Sequence, residues 1–230
     1  MGGKKRHTRG MIARFAKIAA PFMAVALLAP PALSQEEAEL VPEVSYEVTH
    51  VELQTTMGTI LIALETERAP ITAGNFMRYV EEDRFDGAVF YRAMILDWEP
   101  QPNGLIQGGT QYDPDRILPP IAHEPTSVTG LAHVRGALSM ARNEPGSATG
   151  DFSIMLQAQP AMDADPGNED PQWHDGYAVF GRVVGGMDVV EAIHAAPRDP
   201  DKGEGWMKGE MLAEPVVIVD AVVVGEPAQS

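Results

Sequence analysis

Gly136-Ala137-Leu138-Ser139-Met140-Ala141-Arg142, followed by Gly146-Ser147-Ala148-Thr149-Gly150-Asp151-Phe152, is the stretch on which the fold turns. Two short apolar runs, Gly136–Ala141 and Phe152–Leu156, flank a segment rich in Gly, Pro and Asn. Runs this short, bounded by turn residues, read as buried strands rather than helices. The same unit recurs outward in both directions. Upstream, Ser45–Leu64 reads as strand, with a tight turn at Met57-Gly58 and alternation of Ile60, Ile62 and Leu64. Val89-Phe90-Tyr91 and Leu105–Gln107 add two more runs, and Tyr177–Val184 and Val216–Val224 follow downstream.

Two segments have helical periodicity instead. Pro70 stands where a missing N–H costs nothing, and Ile71, Ala73, Phe76, Tyr79 and Val80 give the following residues an apolar face. In Met187–Ala195, Val189, Val190 and Ile193 share a face. Residues 97–104, 110–127 and 164–174 are rich in Pro, Asp, Asn and Gly and read as loops. About eight short strands with two helices predict a mainly β fold. Its natural packing is a closed eight-stranded antiparallel β-barrel capped by two α-helices, because closure removes exposed edges.

The residues exclude several chemistries. There is no Cys, so neither a disulfide framework nor a thiolate metal site is available. His50, His123, His133, His174 and His194 show no i, i+4 pairing, and no metal or other cofactor is expected. Asp163–Asp170 offers oxygen ligands, but its Gly falls one position early for a calcium loop. Ser139, Ser147 and Ser153 lack the Gly-x-Ser-x-Gly context of a hydrolase nucleophile. Gln107-Gly108-Gly109-Thr110 lacks the Lys of a phosphate loop.

What remains is a set of ordered strings: Phe90-Tyr91-Arg92, Gly104-Leu105-Ile106-Gln107-Gly108-Gly109, the two quoted first, and Val179-Phe180-Gly181-Arg182-Val183-Val184-Gly185-Gly186-Met187. In order and spacing they resemble the cyclophilin family of peptidyl-prolyl isomerases. Thr59–Leu64 is similar to the first family strand and Ala69–Val80 to its first helix, so the resemblance runs from Val51 to Val224. It implies the eight-stranded barrel with two helices. It also implies catalysed rotation about Xaa-Pro bonds, a reaction that needs no nucleophile and no acid–base pair.

By this resemblance Arg92 is the catalytic donor to the imide nitrogen, and Gln107 holds the substrate backbone. Ala141 matches a backbone contact, and Phe152 a phenylalanine beside the pocket, although its strand context reads as core. Leu105, Met140, Met162 and Tyr177 complete the expected substrate-binding set. Some positions depart from the family pattern. Gly104-Leu105 stands where Phe-Met is usual, Asp151 where Gln is usual, and Ser153 where an aromatic is usual. Ala161 and Met162 replace a Trp-Leu pair, and Tyr177 a His. Insertions lie between Arg92 and Gln107 and at Ala164–His174, from which Trp98 or Trp173 could rebuild a pocket wall. The alternative readings are a non-catalytic cyclophilin-like chaperone or peptide-binding module, and a small barrel for an apolar ligand.

The N-terminus adds a destination. Residues 1–17 hold six basic and no acidic residues, an apolar run follows from Ile18 to Leu28, and Ala32 and Ser34 form a small-x-small site. This is the pattern of a signal peptide over 1–34. The run is shorter than the roughly 20 residues of a membrane span; a retained anchor or a surface helix is the alternative. The expected organisation is signal peptide 1–34, lead-in 35–44, isomerase domain 45–226 and tail 227–230. Without the leader, 11 basic residues face 33 acidic ones, a formal charge of −22. Such a surface repels nucleic acid and anionic lipid. A periplasmic or secreted monomer is expected, with no stable membrane anchor, acting on proline-containing segments of exported proteins.

Overall fold

A computed structural model describes residues 45–226. The expected leader 1–34, lead-in 35–44 and tail 227–230 lie outside the described residues. Eight strands are present: β1 Thr49–Thr55, β2 Gly58–Leu64, β3 Val89–Ile95, β4 Gly104–Gly109, β5 Ala137–Met140, β6 Phe152–Met155, β7 Val179–Gly185 and β8 Met211–Val224. They close in the order β1-β2-β7-β5-β6-β4-β3-β8, and every pairing is antiparallel. The expected barrel is therefore the observed one.

Period-two alternation sends one set of side chains inward. Val51 and Leu53 of β1, and Ile60, Ile62 and Leu64 of β2, are completely buried. Phe76, Phe85, Phe90, Phe152 and Phe180 fill the interior with tilted and edge-on ring contacts. Each such side chain contributes roughly 1.5–3 kcal/mol by leaving water.

Helix α1, Pro70–Glu81, buries Phe76, Tyr79 and Val80. Its first turn has no acidic residue, and Ala69 supplies no side-chain cap. Glu124, far along the chain, fills that role: its carboxylate accepts from the Ile71 and Thr72 N–H groups at 3.2 and 2.7 Å. Helix α4, Met187–His194, packs against β2, β3 and β4.

The helix count differs from the expected two. Two single turns, α2 Thr126–Thr129 and α3 Pro171–Asp175, stand within or at the edge of segments read as loops. Each is too short to display a hydrophobic repeat. In α3 local capping forms the turn instead: Asp170 accepts from the Gln172 N–H at 2.9 Å, with Pro171 at the first position. The last strand also begins earlier than expected, at Met211. Its register against β3 shifts between Met211 and Val216, a stretch that contains Pro215.

Candidate active site

Pairing registers build the site. Arg92 of β3 pairs with Gln107 of β4, Gln107 with Ser153 of β6, and Ser153 with Ser139 of β5. On the other flank Arg92 pairs with Met211 of β8. Directly opposed residues share a face, so these side chains form one row across the outer wall of the barrel. Beside it, Leu105, Ala137, Met155 and Val179 form a second, smaller apolar cluster, joined by Met94, Leu131 and Met162. The row and part of this cluster floor a cavity of about 620 Å³.

A β-bulge sets the pivotal side chains. Phe90 pairs with Gly108 and Arg92 with Gln107, leaving Tyr91 as the extra residue. Phe90 and Ala93 point into the core, while Tyr91 and Arg92 both reach the cavity. A regular strand would turn consecutive residues to opposite faces; the bulge places two polar ones side by side.

Arg92 is 4 % exposed. Its Nη1 donates to Gln107 Oε1 at 2.6 Å and its Nε to Glu210 Oε2 at 2.8 Å. Nη2 lies 2.7 Å from the same Glu210 oxygen but without hydrogen-bond alignment, and is a buried donor with no aligned acceptor among the described residues. Trp206 lies over the guanidinium, 4.5 Å from ring centroid to Cζ. Behind Gln107 the chain of bonds continues. Gln107 Nε2 donates to Tyr91 Oη at 2.8 Å, and Tyr91 Oη donates to Asp151 Oδ1 at 3.4 Å. Burial, with the Asp151 charge behind it, raises the Tyr91 phenol far above its ordinary range. Burial likewise raises the Asp151 carboxyl.

A second polar line ends on Ser139. Its Oγ lies 2.8 Å from His133 Nε2, and His133 Nδ1 lies 2.6 Å from Asp163 Oδ1. Burial lowers the His133 pKa, so near pH 7 the ring is neutral. Nδ1–H then donates to Asp163, and Nε2 accepts from Ser139. The order Ser–His–Asp is that of a hydrolase triad, yet the next N–H, on Met140, is spent on Ala178 O at 3.0 Å. The donor that would stabilise an oxyanion at a nucleophile elbow is therefore occupied. The line orients a hydroxyl and does not make a nucleophile.

At the far wall Arg142 stacks on Tyr177 at 4.5 Å and donates to the Gly176 and Gln172 carbonyls. Trp173 of α3 meets Tyr177 edge-on, with ring centroids 6.3 Å apart.

Seven of the eight expected site residues line this one cavity: Arg92, Leu105, Gln107, Met140, Ala141, Met162 and Tyr177. Phe152 does not, and its assignment to the substrate surface is corrected. It is completely buried in the aromatic core, 5.2 Å from Phe76 by ring centroids. Alternation along β6 turns Ser153 outward and so Phe152 inward. Of the two tryptophans singled out, Trp173 lines the cavity, while Trp98 is 57 % exposed and stands outside its lining.

Trp206, Glu210, Met207 and Met211 approach Arg92 from the segment leading into β8, and sequence reading missed them. An aromatic between closely spaced glycines, Gly203 to Gly209, was the available signal. The supporting roles of Tyr91 and Asp151 were missed as well. Gly104, in place of a bulkier family residue, has a local cause. At φ +121 a Cβ there would collide with the Met94 carbonyl.

Among the described residues no cluster of three or more His, Cys, Asp or Glu could hold a metal ion, and no helix is long and apolar enough to cross a membrane.

Comparison with known proteins places these features in a family. Residues 50–223 match the family model described as cyclophilin type peptidyl-prolyl cis-trans isomerase/CLD. A peptidyl-prolyl cis-trans isomerase of Acinetobacter baylyi is 39% identical over 153 residues, covering 65% of this chain and 73% of the relative. One from Streptomyces antibioticus is 36% identical over 181 residues, covering 76% of this chain and 98% of the relative. Among solved structures, a cyclophilin type peptidyl-prolyl cis-trans isomerase of Cryptosporidium parvum superposes with a TM-score of 0.59 at 20% identity, covering 79% of this chain and 100% of its own. The same protein in the presence of the dipeptide Ala-Pro gives a TM-score of 0.59 at 19% identity, covering 77% of this chain and 99% of its own.

Proposed function

The chain belongs to the cyclophilin-type peptidyl-prolyl cis-trans isomerase family, and from that premise we propose that it accelerates rotation of Xaa-Pro bonds in exported proteins as they fold. The Ala-Pro dipeptide used with the Cryptosporidium relative supports proline-containing segments as the partner class. The basic leader with its apolar run supports a periplasmic or secreted site of action. We read the enzyme as a monomer with no retained anchor.

An Xaa-Pro bond resists rotation by roughly 18–20 kcal/mol because the nitrogen lone pair is shared with the carbonyl. At the twisted geometry that sharing is lost and the nitrogen can accept a hydrogen bond. A donor that bonds only this state lowers the barrier without tightening ground-state binding. The observation that carries the reading is the Arg92 guanidinium, which lines the cavity and is held there by Gln107 and Glu210. A guanidinium stays charged at any relevant pH. Gln107 and Glu210 hold its nitrogens and Trp206 covers its plane, so the guanidinium is in place before substrate arrives. Leu105, Met140 and Met162 offer the proline ring an apolar surface, and Gln107 a polar anchor for the peptide backbone.

The test is exchange spectroscopy on an Ala-Pro peptide with the purified domain. Arg92→Ala should lower kcat/KM by about 10²–10³, as loss of a preorganised donor typically does. A wild-type protein that leaves the exchange at its uncatalysed rate would overturn the enzyme reading. Ser153, lining the cavity where the family resemblance implies an aromatic, favours the alternative of a non-catalytic peptide binder. Saturable peptide binding without acceleration would select it.

A further inference from the structure

We propose that Asp151 and Tyr91 are positioning residues of the isomerase: the buried carboxylate sets the direction of a hydrogen-bond chain that runs through Gln107 to Arg92. The proposal rests on Arg92 being the catalytic donor.

The logic lies in counting protons. Tyr91 Oη has one proton to give, and two neighbours, Asp151 Oδ1 and Gln107. An ionised carboxylate only accepts. The Tyr91 proton must therefore point to Asp151, and its lone pair to Gln107. A lone pair requires an N–H opposite it, so Gln107 must turn Nε2 toward Tyr91. Its Oε1 is then left facing Arg92, whose Nη1 lies 2.6 Å away. The amide is thus held from both ends in the one orientation that accepts from the guanidinium. The opposite orientation would set Gln107 Nε2 against Arg92 Nη1, donor against donor.

The surroundings of Asp151 agree with a group retained for its charge. It is 1 % exposed, in a region where an unpaired carboxylate is costly. Its Oδ1 accepts from the Gln111 N–H at 2.9 Å, and the nearby Tyr112 N–H favours its charged form. Gln111 and Tyr112 both adopt positive φ, 51° and 57°, and so turn consecutive N–H groups toward it. Thr110, Tyr91 and Tyr79 are its other titratable or polar neighbours, from the loop after β4, from β3 and from α1. Oδ2 has no hydrogen-bond partner among the described residues. A neutral Asn would pack as well, but it could not dictate the direction of the Tyr91 proton.

The test uses three variants of the purified domain: Asp151→Asn, Gln107→Glu and the double variant, assayed by exchange on an Ala-Pro peptide. Asp151→Asn should lower kcat about tenfold, the effect of misaligning one charge-assisted bond, with KM within about twofold of wild type. Gln107→Glu should also be slow, because two acceptors then compete for one Tyr91 proton. In the double variant Tyr91 is free to donate to the carboxylate introduced by Gln107→Glu, whose other oxygen accepts from Arg92. The kcat of the double variant should exceed that of Gln107→Glu alone. A double variant equal to the product of the two single losses would overturn the proposal, as would an Asp151→Asn protein with wild-type kcat. If Asp151→Asn does not fold, Tyr91→Phe replaces it: kcat unchanged there would equally refute the chain. Failure of Arg92→Ala to slow the wild-type reaction would instead count against the catalytic assignment itself.

Discussion

Replacing Glu210 by Gln removes one charge and almost no volume, and so isolates what the carboxylate does for Arg92. The Arg92 side chain is 5 % exposed and that of Glu210 23 %. Breaking a fully buried pair costs about 3–5 kcal/mol, and a surface pair contributes about 0–1. This pair lies between those limits, because water reaches Glu210 but scarcely Arg92. Gln retains an acceptor for the Nε–H, so a loss of about 1–3 kcal/mol is expected. For a domain of this size that is a fall of about 2–12 °C in melting temperature. The guanidinium would also lose part of what aims Nη2, and kcat/KM should fall about three- to tenfold, the effect of weakening one charge-assisted bond. Thermal unfolding at low and high salt, with exchange spectroscopy on the same samples, measures both. Screening acts only on the wild-type attraction, so the gap in melting temperature should narrow in about 1 M salt. A Glu210→Gln protein that melts within about a degree of wild type and turns over at the same rate would refute the view that this carboxylate holds the catalytic donor.

Two further expectations follow from the cavity walls and the buried histidines. Trp206→Ala should lower kcat/KM about three- to tenfold, the range expected for losing a partly exposed cation–π platform; titration of wild type with a proline peptide should shift tryptophan emission, and the shift should shrink in the variant. Burial lowers the pKa of His133 and His194 below their ordinary value, so the unfolded chain binds protons more readily than the folded one below about pH 6.5. Stability should then decline as pH falls from about 7 toward about 5, and His133→Asn should flatten that slope in a pH series of thermal melts. An unchanged slope would show that His133 is not the group responsible.

The barrel was legible because its strands obey simple alternation: Ile60, Ile62 and Leu64 repeat every second residue and are all buried. Arg92 and Gln107 were legible because they lie within strings whose order resembles a family. Phe152 entered the substrate set by resemblance alone, while its strand context read as core, and the structure follows the strand context. In a strand, if Ser153 is outside then Phe152 is inside, and only the register of β6 against β4 decides which. Glu210 and Trp206 could not be found by local pattern. They meet Arg92 across more than a hundred residues of chain, from a glycine-rich turn with no period to read. The short helix α3 escaped for a related reason: capping, not periodicity, makes it. Tyr91 lies within one of the family-like strings, but its partnership with Gln107 depends on a bulge that no single-strand pattern discloses.

The lateral row Met211–Arg92–Gln107–Ser153–Ser139 has a consequence for the order in which the enzyme comes into being. Synthesis runs from N- to C-terminus, and β8 is the last strand. Met211 opens that strand, Glu210 immediately precedes it and Trp206 stands a few residues before. Every other member of the row can be present, correctly spelled and even paired, while Arg92 still has no counterion and no aromatic cover. The active surface is thus completed by the same event that closes the barrel between β3 and β1. An isomerase of the peptide backbone here depends on the closing step of its own barrel.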